Sequence, residues 1–406
     1  MKTIIFIGSN KSGSSREAIK AAVRLGYFTV LFTNKERQLA QRNEYVDVHE
    51  MVMTNTGDLA TMRKEIMNLR AKGNEIMSIV SFVDSNVANA LKLCEEFCQN
   101  GLSSTTAEIM ENKAMTRSAL EGLPCSPAYM TVSAGQTADV QAIKALNRFP
   151  LIVKSSSSTG SKDVLQASSI GQLQQHIRKL HEKDQDDQII IEEFIEGDQY
   201  LVEVIVHEGK IHIAGVIEQE ITFGKRFIIT GYGVLGIIPV QMRQSLMEVL
   251  ESIVERLAIR NAALHAELRL TQSGWRLIEI NPRISGGAMN KMLQAAFGFD
   301  LAEETLKLYL GEQPVLDRKH THYIFTQYVI VQNKGILEKV TGKNRARNSD
   351  GVVEVYIKPK KGTLLIPPLS MGHRYAYVIA TGRSMVQAKM LAKRAAKEIQ
   401  FHLKKD

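Results

Sequence analysis

The 406-residue chain is poor in cysteine, has a single tryptophan and lacks any long apolar run; the missing cysteine and apolar runs each exclude something. Cys94, Cys98 and Cys125 supply neither an even disulfide framework nor a zinc-ligand spacing. Cys94 and Cys98 stand four apart on an expected helix, which reads as buried packing, and cysteine use this sparse suits a reducing cytoplasm. No stretch of roughly 18 apolar residues occurs, so no transmembrane helix is expected. The opening MKTIIFIGSN is interrupted at once by Gly, Ser, Asn and Lys, which suits a first β-strand better than a secretory leader. Neither GxGxxG nor GxxxxGKS is present, so neither a dinucleotide fingerprint nor a P-loop is expected; the loop GSNKSGSS (8–15) is kept only as a small-substrate contact. No internal repeat is found.

What is present is ordinary in bulk and informative in detail. An apolar fraction of 44% with 23% charged residues is that of a globular chain, and its length implies two or three domains. The net charge of +8 gathers late, at Lys389, Lys393, Arg394, Lys397, Lys404 and Lys405. Met390, Leu391, Ala395 and Ile399 keep helical spacing there and aromatics are few, so a solvated helix face is expected rather than a nucleic-acid surface. The first hundred residues alternate strand and helix, implying a parallel sheet with ligands at the strand C-termini. Residues 102–118 read as one connecting helical segment capped at Ser104 or Thr105. A small α+β unit follows, then alternating strands around Glu208–Gly209, helices near 241–259, 288–297 and 300–310, and a strand-rich region from 318 to 380.

The chemistry concentrates in HAELRLT (265–271) and RLIEINPRISGG (276–287). Glu279 and Asn281 are two apart and face the same way on a strand. Glu267 lies on a second strand joined by a turn at 272–274, so an antiparallel pair brings three oxygen ligands to one spot. Hard oxygen donors of this kind suit Mg²⁺, which completes its shell with phosphates and water. Arg283 stands where it can hold a phosphate or a developing oxyanion, beside backbone N–H groups at Gly286 and Gly287. Lys154 opens a Ser/Gly loop whose small residues allow close approach to phosphates; a plain surface loop is the competing reading. His265 shares the strand face of Glu267 and is either a contact to substrate or to that carboxylate, or a packed strand histidine. Trp275, between the two metal strands, reads as packing. Asp84, at the end of a parallel strand, is a candidate for binding a cationic substrate, with helix N-capping the stronger reading.

Lys113 in NKAMTR, Lys154 before its Ser/Gly loop, EEFIEG (192–197) and HAE…IEINPRISGG occur in an order that resembles the ATP-grasp superfamily over about residues 1–310. That resemblance implies a three-lobed mixed α/β and α+β architecture: an N-terminal parallel α/β domain (1–112), a central lid (113–195), and a larger C-terminal antiparallel-sheet domain with an extended C-terminal subdomain (196–406). It implies ATP and Mg²⁺, with Mn²⁺ as a substitute. Lys113 and Lys154 would hold phosphates, and Ser157, Ser158, Gly160 and Ser161 would form the closing loop beside Lys162. Glu192 with the backbone of Glu193, Phe194 and Ile195 would bind adenine. Glu267, Glu279 and Asn281 would hold two Mg²⁺, and Arg283 would neutralise an acyl phosphate. Where the family often carries an acidic ribose ligand, this chain has Gln199. The HAE spelling, the SGG after NPR and the length resemble bacterial L-amino acid ligases, which join two amino acids through an aminoacyl phosphate; the opening MKTIIFIGSNKSG resembles their Arg-selective members. The partners so implied are small amino acids, with no nucleic acid or membrane, in a homodimer. The competing expectations are an ATP-grasp ligase or carboxylase for a non-peptide acid, such as a purine-pathway intermediate, and a catalytically silent binding protein.

Overall fold

The computed structural model describes all residues except 99–102, 134–135, 137–142, 144–145, 147–148, 159–162, 224–226 and 405–406, with backbone alone at 222, 223 and 227. Four strands, β1 (Lys2–Ile7), β2 (Phe28–Thr33), β3 (Glu50–Met53) and β4 (Glu75–Val80), form a parallel sheet ordered β3-β2-β1-β4. Its strands are apolar on both faces because both faces are covered. Ile5 and Ile7 pack with Met62 and Ile66 of the crossover helix Leu59–Ala71 and with Leu93 of the helix Val87–Phe97, while Ile4 and Phe6 join the core of the largest sheet. The expected βαβ order therefore holds, with the short strand β3 added to it.

The connecting segment is two helices, not one. Ser104–Glu111 ends at Asn112, whose side chain accepts from the backbone N–H groups of Ala114 and Met115 at 3.0 Å and so starts a second helix, Lys113–Ala119. An Asn cap satisfies N–H groups that the helix itself leaves unpaired, and here it sets Lys113 as the first helical residue. Beyond it, β5 (Tyr129–Val132), β6 (Leu151–Ser155), β7 (Val164–Ala167) and β8 (Ile189–Glu193) make a small antiparallel sheet ordered β5-β8-β6-β7, packed on the helix Ile170–Lys183 through Leu173, Ile177 and Leu180.

The remainder is dominated by an eight-stranded antiparallel sheet ordered β13-β12-β9-β10-β11-β14-β18-β16. Its strands are β9 (Asp198–His207), β10 (Lys210–Phe223), β11 (Phe227–Val234), β12 (Ala262–Thr271), β13 (Gly274–Asn281), β14 (Tyr323–Val329), β16 (Val352–Ile357) and β18 (Ala376–Gly382). The strands β15 (Gly335–Thr341), β17 (Leu364–Leu365) and β19 (Gln400–Lys404) form a separate three-stranded sheet. One face of the large sheet carries Leu201, Ile205, Ala263, Tyr232, Tyr328 and Tyr377, buried together against the helices Met289–Phe297 and Leu301–Tyr309. The basic terminal helix Met385–Lys397 lies on the sheet with Lys389 and Lys393 paired to Glu220, so part of its charge is neutralised within the chain. Among the described residues no helix is long and apolar enough to cross a membrane.

Candidate active site

The register of β12 against β13 builds the site. Glu267 lies opposite Glu279, and His265 opposite Asn281. Directly opposed residues share a face, so two carboxylates, an amide and an imidazole converge. A β-bulge falls beside Glu267, since Leu268 pairs with Leu277 and leaves Ile278 extra. A bulge re-aims the side chains after it, and this one keeps Glu279 and Asn281 on the face of Glu267. Among the described residues no three His, Cys, Asp or Glu side chains close into a metal cage. A donor set of two carboxylates and one amide, open on the remaining sides, fits a cation such as Mg²⁺ that shares its shell with phosphates and water.

Strand β9 adds a residue that the motifs did not single out. Glu203 is fully buried, pairs in register with His265, and meets its Nδ1 at 2.6 Å. Its other oxygen accepts from the Ser285 backbone N–H at 3.0 Å. On the far side, His265 Nε2 is 3.7 Å from Glu267 Oε1. Burial alone would push His265 down, but Glu203 and Glu267 outweigh it and raise the imidazole to about 10. Burial would likewise raise Glu267, yet His265, then Arg283 and Lys113, hold it below the usual carboxylate range. The histidine is thus a buried cation clamped between two acids, one of them a candidate metal ligand. A lone Glu within the apolar run YLVEVIV was the available signal, since a buried carboxylate needs a partner.

Gln199 reaches the same corner: its Nε2 donates to Glu267 Oε2 at 3.0 Å, and its Oε1 accepts from Arg269 Nε at 3.3 Å. Arg269 also donates to the Ile195 carbonyl and lies over the Phe194 ring. Glu193 accepts from the Ala128 N–H at 2.8 Å and from Arg276 of β13, tying the segment after β8 to the floor.

The carboxylate of Glu192 is not open to a nucleotide. It is buried between Arg117 Nε at 2.7 Å and Lys154 Nζ at 2.6 Å. Arg117, among the largest fully buried side chains, also donates to the Ile278 carbonyl at 2.7 Å, the residue left extra by the bulge. Burial would raise Glu192, but Arg117 and Lys154 hold it ionised below its usual range. Lys113 Nζ donates to the Ser158 carbonyl at 2.6 Å and lies 3.8 Å from Glu279 Oε1, so it stands between the Ser loop and the metal corner. Ser157 and Ser158 lie on that loop; Gly160, Ser161 and Lys162 lie outside the described residues.

Arg283 and the glycines follow β13 directly. The Arg283 guanidinium pairs with Asp84. The expected N-cap role of Asp84 does not hold: the short turn Asp84–Asn86 and the helix Val87–Phe97 are flanked by Val83 and Asn86, with no side-chain cap bond. Asp84 faces the oppositely charged Arg283 instead. Gly287 has φ +67°, a conformation that favours glycine. The first loop is packed against it: a Cβ on Gly13 would come within 2.9 Å of Gly287 N, and Ser14 donates to the Ser285 carbonyl. The helix Met289–Phe297 starts immediately afterwards, so its unpaired N–H groups adjoin the Gly pair.

Residues 147–291 match the ATP-grasp domain, and residues 327–404 match L-amino acid ligase C-terminal domain 2. The uncharacterized protein y4rH of Sinorhizobium fredii is 26% identical over 87% of this chain and 74% of its own. The L-arginine-specific L-amino acid ligase of Bacillus subtilis is 23% identical over 78% of each chain. The fold is that of the crystal structure of L-amino acid ligase from Bacillus licheniformis, with a TM-score of 0.83 at 19% identity over 100% of this chain and 99% of that one. Residues 147–291 thus form an ATP-grasp domain and residues 327–404 an L-amino acid ligase C-terminal domain 2, in a chain similar along most of its length to an L-amino acid ligase.

Proposed function

We propose that the protein joins two amino acids into a dipeptide, activating the carboxylate of the first as an aminoacyl phosphate and releasing ADP and phosphate. The observation that carries this reading is the β12–β13 register, which sets Glu267, Glu279 and Asn281 beside Lys113 and one short loop away from Arg283 and the Gly pair. A carboxylate is a poor electrophile, so an amine attacks it only after phosphorylation. Mg²⁺ held by Glu267, Glu279 and Asn281 would offset charge on the transferred phosphoryl group. Lys113 lies where it can hold phosphate oxygens, and Lys154 stands at the start of the same loop. In this reading residues 113–195 close as a lid over the floor formed by 196–406, with adenine against the backbone of Glu193 to Ile195. Arg283, with the backbone N–H groups of Gly286 and Gly287, stabilises the oxyanion that forms when the amine attacks. For this it exchanges part of its contact with Asp84 for the acyl phosphate. Gln199 keeps Glu267 in position. Arginine is the first acid to try as the activated substrate, because the Bacillus subtilis relative is specific for it.

The experiment is a screen of the purified protein with ATP, Mg²⁺ and paired amino acids, reading phosphate, ADP and dipeptide mass. Phosphate release only with an acid that is not an amino acid would replace the dipeptide reading. AMP and pyrophosphate as products would remove the acyl phosphate. Glu279→Ala should lower ADP release at least about a hundredfold through loss of a metal ligand.

A further inference from the structure

On the same face of the large sheet as the metal corner, a row of tyrosines crosses four strands. Tyr328 of β14 lies opposite Tyr377 of β18, which lies opposite Tyr356 of β16. Tyr232 of β11 meets Tyr328 edge-on at 5.8 Å. The Tyr328 hydroxyl reaches the active-site loop, within 3.6 Å of where a Cβ on Gly287 would stand. Over the Tyr328 ring, 3.9 Å from its centroid, sits the Arg374 guanidinium. Its Nε donates to the Met371 carbonyl at 3.2 Å, and one terminal nitrogen donates to the Ile229 carbonyl and the Tyr232 hydroxyl at 3.3 Å.

No carboxylate among the described residues forms an ion pair with this arginine. The charged neighbour is instead another cation, Lys358, whose ammonium donates to the Gly372 carbonyl at 2.9 Å and is pushed down by burial and by the charge of Arg374. Tyr232 and Tyr328 favour the half-buried guanidinium, and with the exposed Lys358 beside it the two cations form a solvent-facing site that an anion would complete. Arg117, by contrast, has its carboxylate built in. The second terminal nitrogen of Arg374 has no hydrogen-bond partner among the described residues, and the guanidinium lies on a ring whose far end touches the loop proposed to hold the activated acid. On the ligase reading, Arg283 and the metal corner already face the phosphoryl groups, which leaves the free carboxylate of the attacking amino acid as the anion for Arg374.

We infer that Arg374, stacked on Tyr328 and supported by Lys358, binds the α-carboxylate of the second amino acid and aims its amine at the acyl phosphate over Gly286 and Gly287. The inference rests on the ligase reading, and its test separates the two. The wild type is offered the second amino acid either as the free acid or as its α-carboxamide, and kcat/KM is measured for each. In parallel, hydroxylamine, a nucleophile without a carboxylate, captures the activated first acid. A wild type that yields neither dipeptide nor hydroxamate overturns the ligase reading, and the assignment of Arg374 with it. Where dipeptide forms, the free acid should be preferred at least about tenfold over the amide, since the acid alone makes the charge-assisted bonds. Arg374→Gln should remove most of that preference through a higher KM for the free acid, with Arg374→Lys retaining part of it. Lys358→Gln, on a more exposed side chain, should lower the same preference by a smaller factor. A wild type indifferent to the amide, or an acid-to-amide ratio unchanged in both Arg374→Gln and Lys358→Gln, overturns the inference.

Discussion

Two arginines in this protein, Arg117 fully buried and Arg374 half-buried, are treated in opposite ways. Arg117 is closed on itself: Glu192 answers its charge, Lys154 shares that carboxylate, and the Ile278 carbonyl takes its second terminal nitrogen. Arg374 is left open, with ring faces, carbonyls and a second cation around it and, among the described residues, no acid paired to it. The first network joins β6 and β8 to the bulged strand β13, and so ties the small sheet to the metal corner. The second joins the turn before β18 to β11 through carbonyl and hydroxyl oxygens alone. A closed network is a structural joint; an open charge beside an active-site loop is a place kept for a ligand.

The comparison is broken most severely at Arg117. Arg117→Met leaves Glu192 with a single cation and strips a hydrogen bond from Ile278, next to Glu279. Removing one member of a fully buried ionic network costs about 3–5 kcal/mol, and denaturant unfolding should show a loss of that size. A variant within 1 kcal/mol of the wild type, on the order of a surface substitution, would mean that the joint is slack.

How far these networks were legible in the sequence differs in the same way. The metal corner was readable because it is local: strand periodicity sets Glu279 beside Asn281, and a two-residue turn brings Glu267 opposite. The parallel first sheet and the antiparallel floor were readable from alternation for the same reason. The partners of those residues were not. Glu203 reaches His265 only because β9 pairs with β12 across sixty residues, and Arg117 reaches Glu192 from a helix 75 positions away. Asp84 looked like a cap because caps are local, whereas its partner Arg283 arrives from a loop 199 positions along the chain. Arg374 was invisible altogether, since its setting is made by three strands and a turn that no motif links.

Arg374 sharpens the comparison from the other side. Arg374→Gln gives up a cation–π contact and carbonyl hydrogen bonds on a half-buried side chain, but it also removes a charge beside the cation Lys358. These effects oppose one another, so unfolding free energy should change by no more than about 1 kcal/mol. A loss as large as that of Arg117→Met would place Arg374 among the structural joints and remove the contrast.

The smallest effect tests whether an open acid behaves as an open base does. Glu111 ends the helix Ser104–Glu111, where the helix dipole already disfavours negative charge. Its Oε1 has no hydrogen-bond partner, and burial together with Asp84 pushes its carboxyl up to about 7, with Arg283 pulling the other way. A carboxyl whose folded value lies above its unfolded one favours the folded state fully at pH below the unfolded value. That advantage is lost as pH rises through about 7. At pH 8 the folded protein therefore carries the whole cost of the charge, and at pH 5 little of it. Glu111→Gln keeps an oxygen for the Ala88 N–H and removes the charge. Its Tm should exceed that of the wild type by about 2 °C at pH 8 and match it at pH 5, the partial exposure of Glu111 keeping the difference small. An equal Tm difference at both pH values would show that packing, not charge, separates the two proteins, and Glu111 would then belong with the closed networks.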